Sequence, residues 1–192
     1  MPRCTPTRAR LPRAAMIAAA ISAVVALAGC GKVTEVASQK ATEKVIESQI
    51  NKDGGNAKVD LSNGGATVQG TDKDGKSFKM EMGSAQLSEK DVGIPFYPGA
   101  KPKEQGGTRI QNDKGQMVSI ELTSSDDPKK VAAWYREQLK PRGEGAMVID
   151  SAKDNGMQLS IVNEKSNESL MIDVAGADDG SHITLMHSTN AQ

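Results

Sequence analysis

The chain has 192 residues, with 24 Lys and Arg balanced by 24 Asp and Glu, and only 3% of it is aromatic. A formal net charge of zero offers no clustered basic footprint of the kind that nucleic-acid recognition requires. So few rings mean that any core must be built largely from Val, Ile, Leu and Met.

The charge is unevenly spread. Arg3, Arg8, Arg10 and Arg13 precede any acidic residue, and residues 14–28 are then fifteen small or apolar side chains broken only by Ser22. A basic start, a short apolar run and small residues at its end describe a secretory signal. The run falls short of the ~20 residues that a membrane span needs. At its foot, Leu27-Ala28-Gly29-Cys30 resembles a bacterial lipobox. That resemblance implies a signal peptide of residues 1–29, cleavage before Cys30 and acyl chains on the Cys30 sulfur and terminus. Taking four arginines from 24 leaves 20 basic against 24 acidic residues, a mature charge of −4. Cys4 leaves with the signal and no cysteine follows Cys30, so no disulfide is available in an oxidising compartment. By the sorting pattern of many Gram-negative lipoproteins, Gly31 in place of Asp after the cysteine leans towards the outer membrane, facing the periplasm.

Residues 33–52 are predicted as a helix, because Val33, Ala37, Ala41, Val45 and Ile50 recur near helical spacing between Lys and Glu. Thr34 would cap its start and Gly54-Gly55 its end. Its apolar face of alanine and valine suits packing on its own sheet better than lying on a bilayer. Strands follow over 58–61, 66–69 and 76–82, separated by Asn63-Gly64 and Asp74-Gly75, pairs suited to tight hairpin turns. Residues 30–83 thus form an N-terminal helix plus β-meander. A Pro/Gly-rich linker is expected over 84–107. Residues 108–192 then read as an α+β module: strands near 108–111 and 116–122, a helix over 128–140, and strands near 146–150, 157–162, 169–174 and 182–187. Asp127-Pro128 opens the helix as an acidic N-cap with proline in the first turn, and Val131, Trp134, Tyr135 and Leu139 make its stripe. The order β-β-α-β-β-β-β implies an antiparallel sheet with one packed helix.

The segment Pro95-Phe96-Tyr97-Pro98-Gly99-Ala100, followed by paired strands and by a helix carrying Val131 with Trp134-Tyr135, resembles a module of exported bacterial lipoproteins of unknown function with a Pro-x-Tyr-Pro-Gly-Ala motif. The resemblance covers roughly residues 55–192. It implies an α+β fold and no particular activity.

Several motifs invite chemistry. Residues 70–77, Gly-Thr-Asp-Lys-Asp-Gly-Lys-Ser, match a Walker A loop letter for letter, but a working loop opens a helix. Here Phe78-Lys79-Met80-Glu81-Met82 continues in strand alternation, and two aspartates would face the phosphates. The same loop half-matches a calcium loop through Asp72, Asp74 and Glu81, yet Gly70 stands where the first acidic ligand belongs. A hairpin turn explains both matches. Met80, Met82, His182, Met186 and His187 could suit copper, but His182 and Met186 would lie about 13 Å apart on one strand and His187 would face the other way. Core methionines are the simpler reading.

No nucleophile motif appears, and Asp126-Asp127 and Asp178-Asp179 fit caps and turns. The aromatic pairs Phe96-Tyr97 and Trp134-Tyr135 fit a core better than a sugar platform. The expectation is therefore a non-catalytic, lipid-anchored envelope protein without cofactor. Its partners would be the membrane, through the lipid, and an envelope protein or cell-wall component, with no role for nucleic acid. The alternative is a periplasmic small-ligand or copper-like metal binder.

Overall fold

A computed structural model describes residues 32–52, 54–83 and 86–191. The residues expected to be the signal peptide, 1–29, and Cys30 lie outside them. Packing divides the chain into two units, residues 1–42 and 43–192. Helix α1, Lys32–Lys52, crosses that division. In the first unit, the Thr42 hydroxyl donates to the Ser38 carbonyl one turn back, at 2.9 Å.

The second unit is a mixed α+β body made mostly of sheet. Its strands are β1 (Asn56–Asp60), β2 (Ala66–Thr71), β3 (Ser77–Met82), β4 (Lys101–Asn112), β5 (Gly115–Ser124), β6 (Met147–Lys153), β7 (Gly156–Asn163), β8 (Glu168–Ala177) and β9 (Gly180–Asn190). They form one nine-stranded sheet in the order β1-β2-β3-β4-β5-β9-β8-β7-β6. Every neighbouring pair is antiparallel. The long strand β9 is thus inserted between β5 and β8, and its pairing closes the C-terminal strands onto the N-terminal ones.

Helix α2 (Glu89–Val92) and helix α3 (Pro128–Leu139) lie between strands in the chain. Asp127 accepts from the Lys129 amide at 2.8 Å, and Pro128 holds the first turn of α3, which satisfies an otherwise orphan donor. Val131, Ala132, Tyr135 and Leu139 of α3 are buried against Met157, Leu159, Ile161, Leu170, Ile172, Val174, Ile183 and Leu185 of β7, β8 and β9.

The stretch expected as a linker is part of this core. Leu87, Val92, Ile94 and Tyr97 are buried in it, and β4 starts at Lys101, well inside the stretch. Proline and glycine mark its turns here, and the apolar residues between them anchor it. A register break between Pro102 and Gly107 lets β4 resume pairing after a bulge, with Gln105 at φ 58 inside it.

A second, smaller cluster sits at the other end of the sheet. Ala57, Val59 and Val68 are buried, with Ile46 and Ile50 of α1 and Phe78 and Met80 of β3 packed against them. The C-terminal half of α1 therefore packs on its own sheet.

Because side chains alternate across a strand and register partners share a face, the two clusters can be placed. Val118 pairs with Arg109 and His187, and lies on the α3 side. Val59, Val68, Met80, Ile110 and Met117 are successive register partners, which puts them on the opposite side. Helices α1 and α3 thus cover opposite faces at opposite ends of one sheet. Over β5–β9, no helix within residues 43–191 packs on the face that α1 covers at β1–β3.

Candidate functional site

Two rows of register partners run along that side of the sheet, from the part that α1 covers at β3 to the uncovered part over β5–β9. One reads Met80, Ile110, Met117, Ser188, Ser169, Val162, Met147, and the next reads Met82, Thr108, Ser119, Met186, Met171, Ser160, Ile149. Of the seven methionines in residues 32–192, six lie on this face; Met157 alone belongs to the α3-side core. Met117, Met171 and Met186 are half-buried, and their register partners on this face are Ile110, Ser residues and, for Met171 and Met186, each other. Glu121, Thr184, Asp173, Gln158 and Ser151 form the next row and give the patch a polar margin. Within it Lys103 pairs Glu121 at 3.1 Å and Lys153 pairs Asp173.

Met171 and Met186 are direct cross-strand partners, which places their Cβ atoms about 4.5–5.5 Å apart. The Gln158 amide nitrogen lies 3.5 Å from the Met171 sulfur. Methionine is flexible and polarisable, suited to surfaces that adapt to what covers them. A solvated sheet face has no need of so many thioethers.

The opposite side holds two polar clusters at its margins. In the first, Arg142 donates to Glu168 at 2.9 Å and to the Gly93 carbonyl at 3.2 Å. His187 Nε2 lies 2.9 Å from the same Glu168 oxygen, a close approach without hydrogen-bond alignment. These contacts tie the turn after α3 to β8 and β9. Beside them, Asp91 accepts from Arg109 at 2.5 Å and closes the cap of α2 with Ser88 at 2.6 and 2.9 Å. Those Ser88 bonds, and then Arg109, hold the Asp91 carboxyl below its usual range. In the second cluster, the Tyr97 hydroxyl donates to Asp126 at 2.6 Å and Lys130 donates to the same oxygen at 3.0 Å. The hydrogen bond to Asp126 raises the Tyr97 phenol, and the same bond lowers Asp126. Both clusters fasten loops to the sheet.

The expected aromatic group is brought together around that second cluster. Trp134 stands edge-on to both Tyr97 and Tyr135, with centroids 5.4 and 4.9 Å apart. Tyr97 and Tyr135 are buried, and Trp134 and Phe96 are partly buried against the same core. The Tyr135 hydroxyl accepts from the Tyr97 amide at 3.1 Å. Burial drives the Tyr135 phenol well above its ordinary range. The Tyr-Pro-Gly segment is therefore held by α3 from within, and offers no ring face of Tyr97 or Tyr135 to a sugar.

The Walker-like residues 70–77 form the hairpin turn between β2 and β3. The Asp72 amide donates to the Lys76 carbonyl at 2.9 Å, and the Gly75 amide to the Asp72 carbonyl at 3.0 Å. Asp72 Oδ1 accepts from the amides of Asp74 and Lys76, both at 2.9 Å, which lowers its carboxyl. The turn supplies its own acceptor, and Gly75 takes φ +77. Lys76 points to Asp113 at 3.0 Å, which raises its ammonium.

His182 and Met186 share the methionine face two register rows apart, while His187 lies on the other. The sequence-level copper set of Met80, Met82, His182, Met186 and His187 is therefore not assembled at one place. The methionine patch itself had no sequence signal beyond period-two spacing in each strand, because strand order decides which methionines become neighbours. No helix among the described residues is long and apolar enough to cross a membrane. No protein-family profile matches the chain, and no curated protein and no solved structure matches it either.

Proposed function

We propose that the protein is a non-catalytic envelope lipoprotein. Acyl chains on Cys30 hold it to the membrane, and its sheet is presented to another envelope protein. The unit presented is the β-β-α-β-β-β-β module, with α3 closing one face and the methionine face left for the partner. One observation supports this best: half-buried Met117, Val162, Met171 and Met186, continued by exposed Met147 and Ile149 and edged by polar residues, form a field that no helix of the same unit covers over β5–β9. Interfaces carry an apolar centre with a polar rim and are enriched in methionine. A cell-wall glycan is a poorer fit, since the rings that would stack on sugars are turned into the core.

The test is crosslinking in intact cells with recovery of the tagged chain. Met171→Glu and Met186→Glu, on the open face, are expected to abolish a specific crosslinked partner while leaving the melting temperature nearly unchanged. Cys30→Ala is expected to remove the acyl mass at the N-terminus and release the protein from the membrane fraction. A soluble wild-type protein that begins elsewhere, or a partner indifferent to both glutamates, would overturn the reading.

One observation favours a second reading. The Met171–Met186 pair, with Met117 diagonally beside it, sets thioethers on three adjacent strands, a donor set that selects soft monovalent metal. Titration of the protein with Ag(I) as a redox-stable probe is expected to show one equivalent bound if this reading holds, with loss in Met186→Leu. Binding unaffected by that substitution would end it.

A further inference from the structure

The two edges of the sheet are finished differently. On β1, the backbone N–H groups of Ala57, Val59 and Leu61 point away from β2. They donate to Asn51 at 3.1 Å, Glu47 at 2.8 Å and Glu43 at 2.9 Å. Those acceptors recur every four residues of α1, a rise of about 6 Å, and meet every second residue of a strand, a rise of about 6.6 Å. The helix runs beside β1 as a substitute strand, and that edge is closed.

Among the described residues, the other edge, β6, has no such cover. Every residue from Met147 to Lys153 is exposed, with Met147 at 54%, Val148 at 47% and Ile149 at 51%. Edges are ordinarily blunted by proline, bulges or free lysines. Strand β6 has no proline, its register with β7 is unbroken, and its single lysine is held by Asp173. Its one acid, Asp150, is clamped by Arg136 at 2.7 and 2.9 Å. An unpaired ladder flanked by three large apolar side chains is a template for another strand.

We propose that β6 pairs antiparallel with β6 of a second copy, about a two-fold axis at Val148. Such an isologous contact uses the same patch twice. A pairing that keeps the methionine faces continuous must centre on a residue. Centred on Val148, Val148 meets its own copy on the α3 side and Met147 meets Ile149 twice on the methionine side. Asp150 then lies opposite Ala146. Centring on Ile149 sets Asp150 against Val148; centring on Asp150 opposes two carboxylates; centring on Met147 leaves Ile149 opposite Gly145. Only the Val148 register matches every large apolar residue with another and opposes no like charges. This self-complementarity favours a second copy over a foreign strand. The pairing stands apart from the partner reading above, because it uses the edge and leaves the methionine face free and doubled in width.

The test uses the whole chain in intact cells and after extraction in detergent micelles. Val148→Cys, mildly oxidised, is expected to give a dimer whose disulfide joins 148 to 148, identified by peptide mass. Ser151→Cys, equally exposed but about 20 Å from its own copy in this register, is expected to stay at the level of the unsubstituted chain. Val148→Lys and Ile149→Lys should weaken dimerisation about tenfold or more, worth about 1.4 kcal/mol per tenfold, with unchanged melting in the monomer. Equal crosslinking at 148 and 151, a dimer indifferent to both lysines, a crosslink from 148 to another protein, or a wild-type monomer at high concentration would each overturn the proposal.

Discussion

Tyr135→Ala is expected to lower the stability of the sheet unit by roughly 3–5 kcal/mol, the cost of emptying a buried aromatic site. The side chain is 0% exposed, so the ring's space would become a cavity beneath α3, with Trp134 losing its edge contact. The Tyr97 amide, which donates to the Tyr135 hydroxyl, would lose its partner as well. For a body of this size the melting temperature should fall by on the order of 10 °C. Tyr135→Phe keeps the ring and removes only the hydrogen-bond acceptor, so its loss should be nearer 1–3 kcal/mol. Trp134→Ala should fall below Tyr135→Ala, because Trp134 is only partly buried. Thermal unfolding of the three variants gives the ranking, and Trp134→Ala as the worst of them would refute this account of the core.

The second large effect is expected at Gly115, where β5 begins. Its φ is +144, and an added Cβ would sit 1.9 Å from the Thr189 carbonyl oxygen on β9 and 2.9 Å from the Asn190 Cα. The backbone conformation alone costs an L-residue roughly 1–3 kcal/mol. The overlap is with backbone, which cannot rotate away, so β5 and β9 must also part at that end. Gly115→Ala is therefore expected to exceed the dihedral cost and to speed amide exchange over the last residues of β9. Gly75 provides the contrast: its φ is +77 but nothing lies within 4 Å of an added Cβ. Gly75→Ala should cost the strain and no more. Equal losses at the two positions would show that the β5–β9 approach does not matter.

Much of the local structure was legible without coordinates. The alternation Phe78-Lys79-Met80-Glu81-Met82 identified a strand after the Asp74-Gly75 turn, and this removed the phosphate-loop reading of residues 70–77. Asp127-Pro128 marked the start of α3 because cap chemistry acts over three or four residues. The stretch 84–107 departs from the linker that its composition suggests, for a definite reason. Its prolines and glycines are turn residues, but burial of Leu87, Val92, Ile94 and Tyr97 depends on a core assembled from β5, α3 and β7–β9, later in the chain. Local composition reports turn geometry and is silent on what the turns fold against.

The sequence by itself determined the hairpin rhythm, the capped helix and the aliphatic character of the core. Each of these is encoded within a few neighbouring residues or by a simple period. Only the tertiary structure decided that nine strands share one sheet, that α1 and α3 cover opposite faces, and that Met117, Met171 and Met186 become neighbours. It also decided that Glu43, Glu47 and Asn51 close one edge while β6 is left bare among the described residues. Those outcomes depend on strand order and register, which place β9 between β5 and β8 through pairings that no local pattern specifies.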